Sequence, residues 1–144
     1  MERIGFIGLG NMGKPIAENL ARAGFPMTLL DLNPAPVADL ASLGAAVGIT
    51  PNEVAASSDI ICSVVMNDRQ TEAVFLQDDG VFAGVAPGSL ILIHSTISQE
   101  MCHMLGEATR DKGVHILDAA VSGAEAKAKE GETYRPCRWR SRPS

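Results

Sequence analysis

The chain has few of the residues that cross-link small secreted proteins or hold metals. Its 144 residues include three cysteines, one tryptophan and one tyrosine, and aromatic residues make up only 4%. The cysteines Cys62, Cys102 and Cys137 are odd in number and widely spaced. This spacing predicts neither a disulfide framework nor a metal site. A reducing compartment, which we take to be the cytoplasm, fits this cysteine usage.

The sequence also has no apolar run of membrane-spanning length and few basic residues in its body. A transmembrane helix needs ~20 consecutive apolar residues. Because the first predicted strand begins by residue 3, we expect no signal or transit peptide. Residues 1–134 carry 8 basic and 17 acidic side chains, a net charge of −9. We therefore expect neither a membrane nor a nucleic acid as a partner.

The sequence does contain a series of short apolar runs separated by helical patterns. Continuous apolar strands are typical of a parallel sheet that is covered on both faces. The predicted strands are Ile4–Ile7, Met27–Leu30, Ala45–Val47, Ile60–Val65, Leu90–Ile93 and Val114–Leu117. Because strands and helices alternate, we predict the α/β class, with a doubly wound (Rossmann), mostly parallel sheet.

Helix signals occupy most of the intervals between these strands. The predicted helices are Asn11–Ala23, Pro34–Leu43, Asp68–Phe75, a helix that a capping box starts at Thr50, and a helix capped by Ser98 that runs to Lys112. In the last helix, the periodicity predicts that Met101, Met104, Leu105 and Ala108 face the core. The stretch Asp78–Gly88 is interpreted as a Gly-rich connection.

The first thirty-one residues carry the most informative pattern. Gly8, Gly10 and Gly13 form G-x-G-x-x-G between a strand and a helix. Such glycines permit a tight turn, close approach to a pyrophosphate, and close helix–strand packing, respectively. Asp31 follows 18 residues after Gly13, at the end of the second strand, where a carboxylate accepts hydrogen bonds from an adenosine ribose. Together these features predict a dinucleotide-binding unit.

Three stretches carry a family resemblance, namely Ile7–Gly13, Ser95–Ser98 and Asp118–Gly123. In this order and spacing they are similar to the N-terminal domain of the β-hydroxyacid dehydrogenases, the family of 3-hydroxyisobutyrate dehydrogenase and tartronate semialdehyde reductase. The likeness covers about residues 2–132. It implies an NAD(P)-dependent oxidoreductase that transfers a hydride between a small 3-hydroxy acid and the nicotinamide.

The resemblance also implies the site residues. The cofactor-binding positions are Gly8, Leu9, Gly10, Asn11, Met12, Gly13, Asp31, Asn33, Val65, Met66 and Thr96, and the substrate-binding positions are Ser122, Gly123 and Ala124. The family usually has Leu-Pro at Val65-Met66 and glycine at Ala124. We expect NAD, with NADP as the alternative, because Asp31 would repel a 2′-phosphate and residues 32–36 contain no arginine. His94 is assigned a structural role.

No catalytic residue is assigned within the chain. The family's general acid/base is a lysine on a long helix after this domain, and neither that helix nor the C-terminal helical domain has a counterpart here. From residue 133 the composition becomes basic, with four arginines and no acid in residues 135–144. We predict a domain over residues 1–132 and an irregular tail over 133–144. As the origin of this tail, we favour a frame shift or a truncated gene over a genuine basic tail that docks on an anionic surface.

These features predict that the chain binds the cofactor with turnover near zero. Three alternatives stay open: a non-catalytic dinucleotide-binding module, the domain of an imine reductase-like enzyme, and a fragment that does not fold stably. A homo-oligomer is expected only if the family's C-terminal domain is present.

Overall fold

A computed structural model of the chain describes residues 2–10, 12–65, 67–94 and 97–118. Several predicted features lie outside these ranges: Asn11, Met66, Thr96, the substrate-binding residues 122–124, and the tail 133–144. Within the described ranges, no helix is long and apolar enough to cross a membrane.

The described strands form one sheet in which every pairing is parallel. The strands are β1 (Ile4–Ile7), β2 (Met27–Leu30), β3 (Ala46–Val47), β4 (Ile60–Ser63), β5 (Leu90–Ile93) and β6 (His115–Asp118). Their order is β3-β2-β1-β4-β5-β6. In chain order, β2 and β3 are therefore added on one side of β1, and β4, β5 and β6 follow on its other side. This confirms the predicted doubly wound sheet, and it places the reversal of strand order between β1 and β4.

The described helices connect these strands. They are α1 (Gly13–Arg22), α2 (Pro34–Ala41), α3 (Pro51–Ala56), α4 (Asp68–Phe75), α5 (Val81–Gly84) and α6 (Gln99–Thr109). Side-chain caps at the predicted positions start α3 and α6, where Thr50 accepts the N–H of Glu53 and Ser98 accepts the N–H of Met101. Such caps satisfy backbone donors that a helix leaves without partners in its first turn.

Two predictions about the helices were wrong. The connection over Asp78–Gly88 contains α5, which is too short to produce a helical period. It is held by burial, because the ring of Phe82 packs against that of Phe75 with centroids 5.4 Å apart. Met104 was expected to face the core but is 37% exposed. The buried stripe of α6 runs instead through Met101, Leu105 and Thr109, and Met104 lies at its margin.

The core has two parts, one on each face of the sheet. Along β1 the side chains alternate, so that Phe6 packs on the face covered by α1 and α2 and Ile7 on the opposite face. Both side chains are almost fully buried. Because all strands are parallel, their carboxyl ends lie along one edge, and the loops that leave this edge are brought together.

Candidate functional site

Gly8 is the first residue of the loop that follows β1 and forms its tight turn. Its N–H donates to the carbonyl oxygen of Leu30 over 3.0 Å, which joins the loop to the end of β2. Its φ is +96°, a conformation that favours glycine. A Cβ at this position would also overlap the carbonyl oxygen of Val64, just after β4. The turn at Gly8 therefore depends on glycine for two independent reasons, both internal to the protein.

Gly13 and Gly10 differ in what surrounds them. A Cβ on Gly13 would overlap the carbonyl oxygen of Gly8, so glycine lets α1 begin directly against the loop. A Cβ on Gly10 would meet no protein atom within 4 Å, and the φ of Gly10 is not positive. The fold therefore explains the glycine at positions 8 and 13 but not at position 10. The space beside the backbone of Gly10, where a side chain would begin, is open and lies next to the start of α1.

The N-terminus of α1 is left open in the part of the chain that the structure describes. Its N-cap residue is Met12, no side chain makes a capping hydrogen bond there, and the first turn carries no acidic residue. Asn33, Thr50, Asn67 and Ser98 provide side-chain caps for α2, α3, α4 and α6. The N–H of Lys14 is bonded to the carbonyl oxygen of Gly10, and Pro15 has no N–H. What α1 offers an anion here is chiefly the positive end of the helix dipole.

Asp31 links the end of β2 to this loop. One carboxylate oxygen accepts the backbone N–H of Leu9, and the other accepts the N–H of Asn33 at 2.9 Å. Asn33 in turn caps α2, since its side-chain oxygen accepts the N–H of Ala35 at 3.1 Å. The carboxylate is thus fixed beside the glycine loop by two backbone donors.

The glycine loop and Asp31 open into a cleft of about 480 Å³. This volume lies in the range typical of small-molecule sites. Most of the lining is apolar, and it comes from the loops after β1, β2, β3 and β4 and from one face of α4. The lining residues are Ile7, Gly8, Gly10, Leu30, Asp31, Leu32, Ile49, Pro51, Val64, Val65, Gln70, Ala73, Val74 and Asp79.

The structure brings together part of the predicted cofactor set. Gly8, Gly10, Asp31 and Val65 line the cleft. Leu9 instead turns its side chain into the core, where it is 2% exposed, and only its N–H takes part in the site. The expected strand Ile60–Val65 ends at Ser63, and the two residues that follow it, Val64 and Val65, line the cleft.

Sequence reasoning missed the far wall of the cleft. Gln70, Ala73 and Val74 have the i, i+3, i+4 spacing of one helix face, which was the available signal. Leu32 and Ile49 are apolar side chains that are 99% and 82% exposed beside the cleft. Local pattern gave no indication that these two positions, 17 residues apart, border one site. They also make the rim of the cleft unusually apolar for a solvent-exposed surface.

His94 and Cys62 lie near the site without entering the cleft. The His94 ring is 4% exposed and stacks on Phe6, with centroids 6.5 Å apart and an interplanar angle of 14°. This arrangement agrees with the structural role expected for His94. Burial raises the pKa of the Cys62 thiol to about 12, so the thiol stays protonated and unreactive at neutral pH.

Residues 3–136 match the sequence model of the family described as the NAD binding domain of 6-phosphogluconate dehydrogenase. The chain belongs to this family of NAD-binding domains. The glycine loop, the open N-terminus of α1 and Asp31 are the features of the NAD-binding domain that fit a dinucleotide.

Curated relatives of this NAD-binding domain include two dehydrogenases from Pseudomonas aeruginosa. An NAD-dependent L-serine dehydrogenase and a 3-hydroxyisobutyrate dehydrogenase are each 37% identical to it over 131 residues. Each alignment covers 91% of this chain and 44% of the relative. The resemblance to the β-hydroxyacid dehydrogenases is thereby confirmed, and the chain spans less than half the length of these relatives.

Solved structures show the same partial coverage. The crystal structure of 3-hydroxyisobutyrate dehydrogenase from Salmonella typhimurium superposes with a TM-score of 0.82 at 35% identity, over 90% of this chain and 45% of that one. The V8 variant of an imine reductase from Myxococcus stipitatus, in complex with NAD+, gives a TM-score of 0.78 at 24% identity, over 88% of this chain and 43% of that one. This second likeness shows the shared fold alone.

Proposed function

We propose that the cleft binds NAD, with the pyrophosphate over residues 8–13, and that the domain serves hydride transfer to or from a small 3-hydroxy acid. The observation that carries the proposal is the open space at Gly10. Two of the three glycines are required by contacts within the protein, whereas the third is not. A glycine that its own fold does not require is accounted for when a ligand approaches the backbone closely. A pyrophosphate at this place would also meet the open N-terminus of α1.

The adenosine half of NAD fits the part of the cleft beside Asp31. The carboxylate keeps lone pairs after accepting two backbone N–H groups, and these can accept the ribose hydroxyls. Leu32 and Ile49 flank this region with exposed apolar side chains, and Ala73 and Val74 line it from α4. A flat purine ring between such surfaces would remove apolar area from water, which favours binding.

The nicotinamide half is assigned to the loops that follow β4 and β5. By the family resemblance Val65 and Met66 belong to a loop that lies along the cofactor, and Thr96 lies near the nicotinamide ribose. The same resemblance assigns Ser122, Gly123 and Ala124 to the substrate. When bound, NAD supplies the hydride acceptor or donor, and the domain supplies position and electrostatics. We infer a cytoplasmic protein whose partner is the small hydroxy acid, with neither a nucleic acid nor a membrane involved. A homo-oligomer is proposed for a form that includes the family's helical domain.

The proposal is tested by titrating the 144-residue chain with NADH and following the nicotinamide fluorescence. The wild type should bind saturably. Gly10→Val should weaken binding at least tenfold, about 1.4 kcal/mol, because the side chain would occupy the space assigned to the pyrophosphate. The urea midpoint of this variant should stay near that of the wild type, because no protein atom lies within 4 Å of the added Cβ.

Gly44→Ala is the matched control for this test. Gly44 also has open space around it, but it follows α2 and does not line the cleft. Its φ of +101° makes the substitution mildly destabilising, so the variant separates lost stability from lost binding. It should bind NADH like the wild type. Equal affinities for Gly10→Val and the wild type would refute the assignment of the pyrophosphate to this loop.

A further inference from the structure

Asp68 and Ser98 connect two loops at the carboxyl edge of the sheet. Asp68 is the first residue of α4, and its Oδ1 accepts the backbone N–H of Ser98 at 3.0 Å, across 30 residues of sequence. The hydroxyl and then the backbone N–H of Ser98 hold the pKa of the Asp68 carboxyl below its usual range. The carboxylate is therefore ionised at neutral pH, and the hydrogen bond that it accepts from the Ser98 N–H is charge-assisted.

Ser98 is itself held in place by a hydrogen bond to α6. Its hydroxyl oxygen accepts the N–H of Met101 at 3.0 Å and so caps α6. The Met101 side chain is buried in the core. A side chain at the start of α4 thus holds the start of α6 through a residue that is already anchored. Strands β4 and β5, which lead into these two helices, are direct neighbours in the sheet.

Asp68 does not belong to the cleft lining, although Val65, three residues before it, does. Its position distinguishes it from Asp31 and Asp79, which line the cleft. Any effect of Asp68 on a ligand in the cleft must therefore pass through the loops that its hydrogen bonds join.

We propose that Asp68 is a positioning residue, which holds Ser98 at the start of α6 against the start of α4 so that the carboxyl ends of β4 and β5 together receive the nicotinamide riboside half of the dinucleotide. This inference rests on the proposed function, which assigns that half to the loops that follow these strands. The adenosine and pyrophosphate half is bound by the loops after β1 and β2 and does not depend on Asp68. The two halves of one ligand should therefore respond differently to a change at this residue.

The experiment measures the affinities of NADH and of ADP for the 144-residue chain by calorimetry. ADP retains the adenosine and the pyrophosphate and lacks the nicotinamide riboside. Asp68→Ala should weaken NADH binding about five- to tenfold and change ADP binding less than about twofold. Asp68→Asn keeps one carbonyl oxygen for the N–H of Ser98, so it should recover part of the NADH affinity. It also tests the proposal if the alanine variant does not fold.

Asp59→Ala is the matched control. Asp59 is likewise a partly exposed carboxylate that accepts a distant backbone N–H, that of Arg3 at 2.9 Å, but it precedes β4 at the opposite edge of the sheet. This variant should lower the stability and leave both affinities unchanged. Equal weakening of NADH and ADP by Asp68→Ala, or no weakening of either, would overturn the positioning role. A wild type that binds neither ligand would instead overturn the proposed function, and the inference with it.

Discussion

The carboxylate of Asp31 accepts the backbone N–H of Leu9, so the end of β2 is hydrogen-bonded to the middle of the glycine loop. Its second oxygen accepts the N–H of Asn33. A residue predicted to recognise a ribose therefore also holds the shape of the loop beside it. Since each carboxylate oxygen has two lone pairs, these bonds leave acceptor capacity on both oxygens. Removal of the side chain would disturb both roles, and a substitution must be chosen to separate them.

Asp31→Asn removes the negative charge and keeps one of the two backbone hydrogen bonds. Its amide oxygen can accept the N–H of Leu9, whereas its NH2 group cannot accept the N–H of Asn33. The neutral side chain no longer repels a 2′-phosphate. We expect the wild type to bind NADH at least about tenfold more tightly than NADPH, and the variant to lose most of that difference, largely through a gain in NADPH affinity. Fluorescence titrations with both nucleotides measure the two ratios. Tighter binding of NADPH than of NADH by the wild type would contradict the role given to the Asp31 charge.

Gly13→Ala should destabilise the domain, whereas Gly10→Ala should not. The alanine Cβ at position 13 would overlap the carbonyl oxygen of Gly8, which is backbone and cannot move aside cheaply. Overpacking of this kind costs about 1–3 kcal/mol. At position 10 the Cβ meets nothing, and lower entropy of the unfolded chain can raise stability by about 0.4–1 kcal/mol. Urea unfolding followed by circular dichroism compares the two variants. Similar losses for both would show that the glycine loop is uniformly intolerant.

Much of the fold could be predicted because its signals are local. The four-residue strands Ile4–Ile7, Met27–Leu30 and Leu90–Ile93 have the predicted bounds, since an apolar run between turn residues defines each of them. The four residues of α5 could not be predicted, because no helical period develops over so short a length and the helix depends on contact between Phe75 and Phe82.

The candidate site likewise has features that local sequence predicts and features that depend on contacts between distant residues. The turn at Gly8 and the acid at Asp31 follow from the order of strand, loop and helix. The bond between Asp68 and Ser98 joins residues on separate strand–helix units, and only the pairing of β4 with β5 brings them together. The exposed Leu32 and Ile49 border one cleft through another strand pairing, that of β2 with β3. Local patterns therefore predicted the glycine loop and not the walls of the cleft around it.

Cys62 should resist alkylation in the folded chain. Its side chain is 4% exposed among the apolar residues under α1 and α2, and burial raises the pKa of its thiol to about 12. Because the thiolate is the reactive form, iodoacetamide at about pH 8 should leave Cys62 unmodified until the chain is unfolded. Peptide mapping by mass spectrometry, with and without denaturant, gives the result. Rapid native labelling of Cys62 would mean that this part of the core opens readily.

Arg3 and Asp59 should make the stability depend on pH in the acid range. The Arg3 side chain and then its backbone N–H hold the pKa of Asp59 below its usual range, and the guanidinium lies 3.1 Å from the carboxylate. Because the pKa is lower in the folded state, this contribution is complete above the unfolded value of about 4 and is lost as the pH falls through the folded value. The pair is exposed, so the contribution is small and salt-dependent.

Asp59→Asn isolates this contribution from those of the other carboxylates. At pH 7 the variant should unfold at a lower urea concentration than the wild type, because the ionised carboxylate is missing. As the pH falls from about 4 through the lower folded pKa, the two midpoints should converge, because protonation removes the same charge from the wild type. About 1 M salt should narrow the difference at pH 7, since it shortens the Debye length to roughly 3 Å. A difference that stays constant from pH 7 to pH 3 would assign the effect of Asp59 to the shape of its hydrogen bonds rather than to its charge.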